Sequence, residues 1–499
     1  MNKFFLISIF TLSGFLLQAQ QLLIDKQPVV WLESANEVDS LHWSDWRLNG
    51  LEALWNNLTP LNITTINFQE AVFVDQNNGP LFIPYNPKKK GNLKMYVVYH
   101  IEDTIYENGI WTIKFDTTKR LGLTSQRILG ANKDIRYTQT TQPDLYINAL
   151  TQSWKNEKPD TTISGIQIGG TDSLQFFGKI AEVMYFDTKP GARDNEKIHT
   201  YLAVKYGITL NRINYLSSQN EVVWNTNKEV AFTNDVAAIG RDDLIMVNQR
   251  QSAGNGGTSE LTMYLGSLEE KNAHNSFIIN DYNYIVWGHN GKPIHEVEMD
   301  TGGQLPISNI LNRKWKVNVT GAQIPFLPVN IKFNGNSFDS VSPFELIISR
   351  NSEGPFEFDS TDIYLPDSVD NQRNFYFSNI VWDTDFSGAD LFSFRLASPS
   401  VNRQNKALQT ENILEETDKN LKFGVYPNPG DGLFTVTIEP GEEEDFVLEI
   451  TDVTGKIVSV EEIHTDVFYT LSKQLLTQGV YFFKLSTKTQ NQTQRVVVK

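Results

Sequence analysis

Seven histidines and 59 acidic residues are the groups from which this chain could assemble a metal site or an acid–base pair, and it has no cysteine. Their spacing argues against most such chemistry. His295-Glu296 opens like the helix motif of a zinc protease, but Met299 stands where the second histidine would have to be. No two histidines lie four apart. A Gly-x-Ser-x-Gly elbow and a phosphate-cradling glycine loop are both missing. Glycoside hydrolysis needs two carboxylates facing each other across roughly 5 to 9.5 Å. Glu182 and Asp187 are five apart on one predicted strand and so point to opposite faces. The sequence predicts a protein without a catalytic centre.

Two binding chemistries survive as expectations. Asp383, Asp385 and Asp390 alternate oxygen ligands around Gly388, as calcium loops do, although Phe394 occupies the position where such a loop ends in glutamate. Calcium is therefore the one candidate cofactor, set against an ordinary acidic turn. Asn234, Asp235, Asp242 and Asp243 pose the same choice between a cation and turn capping. A sugar site needs exposed aromatic faces beside hydrogen-bonding groups. Trp43, Trp46 and Trp111, with Asp45 and Asn49, are the candidates, and burial in a sandwich core is the competing reading for the tryptophans.

The elements that must position these residues come from the rest of the chain. Its 499 residues are too many for one core and suggest about three domains. A net charge of -16, from 43 basic against 59 acidic residues, repels phosphate backbones and excludes a nucleic-acid partner. The absence of cysteine removes disulfides, thiolate metal sites and a lipidated cysteine anchor, and for an exported chain it points to a bacterial source. Export itself is read from Lys3, the apolar run Phe4 to Leu17, and a cleavage site near Ala19 and Gln20, which make residues 1–20 a signal peptide. No later stretch is long and apolar enough for a transmembrane segment.

From 21 to 212 the pattern is short strands broken by turn residues, as in Leu93 to His100, Ile110 to Phe115 and Ile180 to Phe186. Asp144 to Trp154 reads as strand, turn, strand. One helix follows, with Asp194 as its expected cap, Ile198, Leu202 and Lys205 or Tyr206 on one face, and Gly207 as its stop. The runs GIQIGG, FFGKIAEVMYFD and EKIHTYLAVKYGITL, with the opening VVWLESANEVDSLHWSDWRLNG, resemble laminin-G and concanavalin-like jelly rolls of Bacteroidota surface proteins. The block from Tyr215 to Gly291 (TNDVAAIGRDD, LTMYLG, YIVWGHNG) is similar to an uncharacterised β-rich domain that follows such modules. Residues 213–397 are expected to be β-rich throughout, as one domain or as two units split near 312. Residues 398–422 are polar and acidic and read as a linker.

Residues 423–499 carry the densest pattern. Pro427, Asn428, Pro429 and Gly432 lead into a strand, and Asp452, Gly455 and Lys456 make a hairpin turn. Gly479 and Tyr481 open a further strand, and Lys499 ends the last one. Alone, this spacing specifies a small antiparallel sandwich. It also resembles the C-terminal sorting domain of the type IX secretion system, with Gly430 where Thr, Ala or Ser is commoner. The resemblance implies the secretion machinery as partner, passage through the periplasm, and an extracellular or outer-surface destination. The expectation is an all-β, multidomain β-sandwich protein that binds a polysaccharide or surface glycan in an adhesin-like role. A carbohydrate-active enzyme and a structural spacer are the alternatives.

Overall fold

The computed structural model describes residues 24–33, 42–44, 52–55, 62–86, 88, 91–130, 133–136, 145–154, 160, 164–171, 173–298, 309–336, 344–352, 356, 361–396, 422–426, 432–439, 444–452, 456–465, 469–474, 477–487 and 491–498. The chain is all-β, built as successive antiparallel sandwiches. Alternating apolar side chains on each strand supply the facing layers of each core.

The first sandwich stacks a six-stranded sheet on an eight-stranded one. Its inner face is filled by Val72, Leu93, Met95, Val97, Trp111, Ile166 and Val183 among others. Asp144 to Trp154 does not turn in the middle: Leu145–Trp154 is one continuous strand paired along its length with Gly91–Ile101. Ten consecutive pairings outweigh the local turn signal of Asn148 and Ala149.

The residues that alternate with that core are also apolar, which leaves the outer face of the six-stranded sheet needing a cover. Helix α1 (Ala192–Tyr206) supplies it. Trp31, Tyr96, Ala181, Met184 and Phe186 from the sheet, Ile198, Leu202 and Val204 from the helix, and Val236, Ala238 and Val286 from the next sandwich form one cluster. The helix is buried on nearly every side, so it is an inner layer between two sheets. Gly207 ends it at φ 63°, as expected. Asp194 does not cap it: Gly191 holds the cap position, and the Asp194 carboxylate accepts the backbone N–H of Asp25 at 3.0 Å.

The second sandwich packs a seven-stranded sheet against a five-stranded one. Strand Asn283–His289 pairs with Trp315–Thr320, which pairs in turn with Ala389–Leu396. Strands from both sides of residue 312 thus share one sheet and one aromatic core, with Trp315 stacked on Phe392 and Phe333 on Phe394. A split into two units near 312 is therefore replaced by a single sandwich.

The last sandwich has a three-stranded and a four-stranded sheet around Val425, Phe434, Val436, Leu448, Ile450, Phe483 and Val496. The predicted signal peptide at 1–20 and most of the predicted linker lie outside the described residues. Among the described residues, no helix is long and apolar enough to cross a membrane.

Candidate functional site

Trp43 and Trp111 are fully buried in the first sandwich and offer no ring face to a ligand. The pleat turns both inward, where a large indole contributes more by filling the core than by facing water. Asp45, Trp46 and Asn49 lie outside the described residues.

An exposed aromatic surface lies instead on the loop joining Gly91–Ile101 to Gly109–Lys114. Ile105 is 82% and Tyr106 72% exposed at its tip. The loop is braced from below. The Asn108 amide donates to the carbonyls of Asp103 and Tyr106 at 2.7 and 3.0 Å, and its oxygen accepts the Phe177 N–H at 2.8 Å. Asp103 accepts the N–H of Ile105 at 2.9 Å. Glu107 takes a forked pair of bonds from Arg127 at 2.7 and 2.9 Å. Burial alone would raise the Glu107 carboxyl, but Arg127 and Thr124 outweigh it and hold the group below its ordinary range. Half-exposed Phe177 lies beside the loop base, its ring edge against Phe73 at 5.3 Å. Two apolar side chains are thus held in water by a fixed backbone. Only the run Ile105-Tyr106 inside a polar turn (EDTIYENG) signals this in the sequence.

A second polar cluster lies where the first sandwich, α1 and the second sandwich meet. Ala181 is an extra residue in its strand, a β-bulge opposite the Tyr99–Val98 step, which aims Glu182 at the helix. There Glu182 accepts from Trp31 Nε1 at 2.7 Å, Tyr206 OH at 2.7 Å, Tyr201 OH at 3.2 Å and Lys205 Nζ at 2.8 Å. The Lys205 ammonium also bonds Glu33 Oε1 and Tyr201 OH. Burial pushes the Glu182 carboxyl up, Lys205 pulls it back, and Glu33 pushes it up further. Burial lowers Lys205, but the two carboxylates outweigh it and raise it. A cleft of about 270 Å³ opens beside this cluster, lined by Glu33, Gln69, Tyr201, Lys205, Asn248 and Asn272. Tyr201 and Lys205 stand one helical turn apart, with Tyr206 next in the chain, and that pair is the sequence signal for the cluster.

The predicted calcium ligands do not converge on an open site. Asp390 Oδ2 binds Arg350 at 2.8 Å and the N–H of Asp383 at 2.7 Å. Asp383 Oδ1 accepts the N–H of Gly388 at 2.6 Å, and Asp385 that of Ser387 at 3.2 Å. These are turn and ion-pair bonds, Asp390 Oδ1 alone of the named oxygens being buried without a hydrogen-bond partner, and the described residues hold no cluster of three or more metal-ligating side chains. Asp242 likewise accepts Ser218 N–H and Tyr284 OH, Asp243 pairs with Arg241, and Asp235 with His289.

In the last sandwich, Gly432 takes φ 104° at the entry to its strand. The Asp452 carboxylate accepts the Lys456 N–H at 3.1 Å across the hairpin, and Tyr481 OH donates to the Thr477 carbonyl at 2.9 Å beside Gly479. Pro427, Asn428, Pro429, Gly455 and Lys499 lie outside the described residues, as do Ala19 and Gln20.

Two family models match the chain. Residues 194–385 match a domain of unknown function, DUF8202, and residues 424–499 match a secretion system C-terminal sorting domain. No curated protein matches. Solved structures with some likeness include β-glucuronidase of Parabacteroides merdae, with 12% identity, 36% of this chain and 30% of that one covered, and a TM-score of 0.14. Dimeric latent PorU from Porphyromonas gingivalis has 11% identity, with 88% and 32% covered and a TM-score of 0.16. The BSP domain of a biofilm associated protein has 6% identity, with 88% and 80% covered and a TM-score of 0.13. The chain spans about a third of the length of the first of these, and none carries a functional argument. The sorting-domain match does: it makes the chain a cargo of the type IX secretion machinery, bound for the cell surface or the extracellular space.

Proposed function

We propose that the exported chain is a non-catalytic, adhesin-like protein whose first sandwich, of the laminin-G and concanavalin kind, binds a glycan or another surface ligand. The observation that supports this is the braced loop at 102–108, which holds Ile105 and Tyr106 in water. A phenol ring with an open face, carried next to Asp103, offers a sugar both a stacking surface and a hydrogen-bond acceptor. The base of the loop is fixed by Asn108, so little conformational entropy is lost when a ligand docks. The paired carboxylates Glu33 and Glu182 are engaged with Lys205 inside the molecule, which favours binding over hydrolysis.

A glycan array probed with the purified exported protein tests the reading. The expected outcome is retention of a defined glycan class without release of reducing sugar. Tyr106→Ala should weaken retention roughly tenfold, about 1.4 kcal/mol, with thermal stability unchanged. Reducing-sugar release would favour a carbohydrate-active enzyme, and neither binding nor release would leave a structural spacer.

A further inference from the structure

Lys205 places a primary amine against the carboxyl of Glu33 and 2.8 Å from the carboxyl of Glu182, in a site walled by aromatic rings. Its Nζ lies 4.9 Å from the centre of the Tyr201 ring and 5.2 Å from that of Tyr206. Trp31 closes the far side through its bond to Glu182. Glu182 is 1% exposed and Lys205 9%. An amine, a carboxyl and a second, fixed carboxyl, all largely withdrawn from water, are the components of an amide condensation. We propose that Lys205 and Glu33 become joined, side chain to side chain, by an intramolecular amide bond, with Glu182 carrying the proton.

The step balances without any co-reactant. Lys205 hands an ammonium proton to Glu182, and its nitrogen lone pair attacks Cδ of Glu33. The C–N bond forms, and Glu182 passes its proton to one Glu33 oxygen, takes a second proton from the newly bonded nitrogen and delivers it to the same oxygen, whose C–O bond then breaks. One water leaves, and nothing is oxidised or reduced. The cleft beside Lys205 and Glu33 gives that water an exit.

The reaction is favoured here over its reversal on three physical grounds. The groups are held in contact, so the encounter costs no further entropy. Burial of the separate charges is costly, whereas an amide in the same place is neutral. The rings limit access of water for hydrolysis. Glu182 is suited to the shuttle because Trp31 and Tyr206 fix both its oxygens and burial raises its carboxyl, so it can hold a proton in passing. The bond would tie the opening strand Val30–Glu33 to α1, residues separated by 172 positions, in a chain that has no cysteine to make such a link.

Intact-mass spectrometry of the purified full-length exported chain decides the matter. The expected mass is one water below that of the sequence, with a digest that yields one branched peptide containing Glu33 and Lys205. Lys205→Arg keeps the charge but should restore the full mass, as should Glu33→Ala. Glu182→Gln should leave most molecules unlinked while the other two residues remain. A wild-type chain at full mass, with Glu33 and Lys205 on separate peptides, overturns the proposal whatever the variants do.

Discussion

Asp390 is shut away from water, and burial pushes its carboxyl up to about 6 although Arg350 pulls against the rise. A carboxyl raised on folding stabilises the native state fully below its unfolded value near 3.8, and that contribution fades as pH climbs through about 6. Two pH units of separation correspond to about 3 kcal/mol. Asp390→Asn should therefore flatten the pH dependence: wild type loses stability relative to the variant between pH 4 and pH 7 in urea melts. Equal slopes for the two proteins would show that Asp390 is ionised throughout. The same residue shows where reading the sequence stops. Asp383, Asp385 and Asp390 have a calcium loop's alternation, but nothing local reveals that Arg350, forty positions earlier, will take the central carboxylate. Trp43 and Trp111 were legible as large aromatic residues on strands, and the choice between core and surface depends on which way the pleat faces. Glu182 looked like one of an ill-matched pair because the bulge at Ala181, which turns it to the helix, leaves no mark in composition.

Helix α1 was the most legible element, since its periodicity and Gly207 stop are written in consecutive residues. Its burial on both sides was not, because the sheets that cover it come from strands far away on either side in the chain. The hairpin turn Asn67-Phe68, with φ of 47° and 65°, reaches across to it. The Asn67 amide donates to the Lys205 carbonyl at 3.1 Å and to Ser252 Oγ at 2.9 Å, and its oxygen accepts the Ala253 N–H at 2.9 Å. One side chain of the first sandwich thus satisfies the helix end and the second sandwich together. Gly207 makes this approach possible, since a Cβ there would sit 2.3 Å from the Ala253 carbonyl oxygen. Gly207→Ala should cost about 1 to 2 kcal/mol in left-handed backbone strain, plus the displacement of Ala253. Thermal melts should register the loss, and protease sensitivity should rise around residues 207–212. An unchanged melting temperature would mean that the two sandwiches meet less tightly than the geometry shows.

The matched domain of unknown function begins at residue 194, inside α1, yet one of the two layers that cover that helix lies in front of it in the chain. Detaching the first sandwich would bare Trp31, Tyr96, Met184 and Phe186 and part Lys205 from Glu33 and Glu182. In the unlinked chain, separating a buried charge from its partners costs roughly 3 to 5 kcal/mol by itself. The seam also carries the Lys271–Glu70 ion pair at 2.6 Å and the Gln69–Gln249 bond at 2.7 Å. Residues 24–396 should therefore unfold as one cooperative unit even though they contain two sandwiches. The sorting domain has a core cluster made only of its own residues, from Phe423 to Val498, and a chain of that size buries only about 60% of its unfolded surface. It should melt separately and at lower temperature. Calorimetry of the exported precursor should show two transitions, and removal of residues 423–499 should abolish the lower one while leaving the upper unmoved. A third transition would place the boundary at the helix and make the seam a contact between independent bodies; a shift of the upper peak would mean that the address label also braces the cargo it directs.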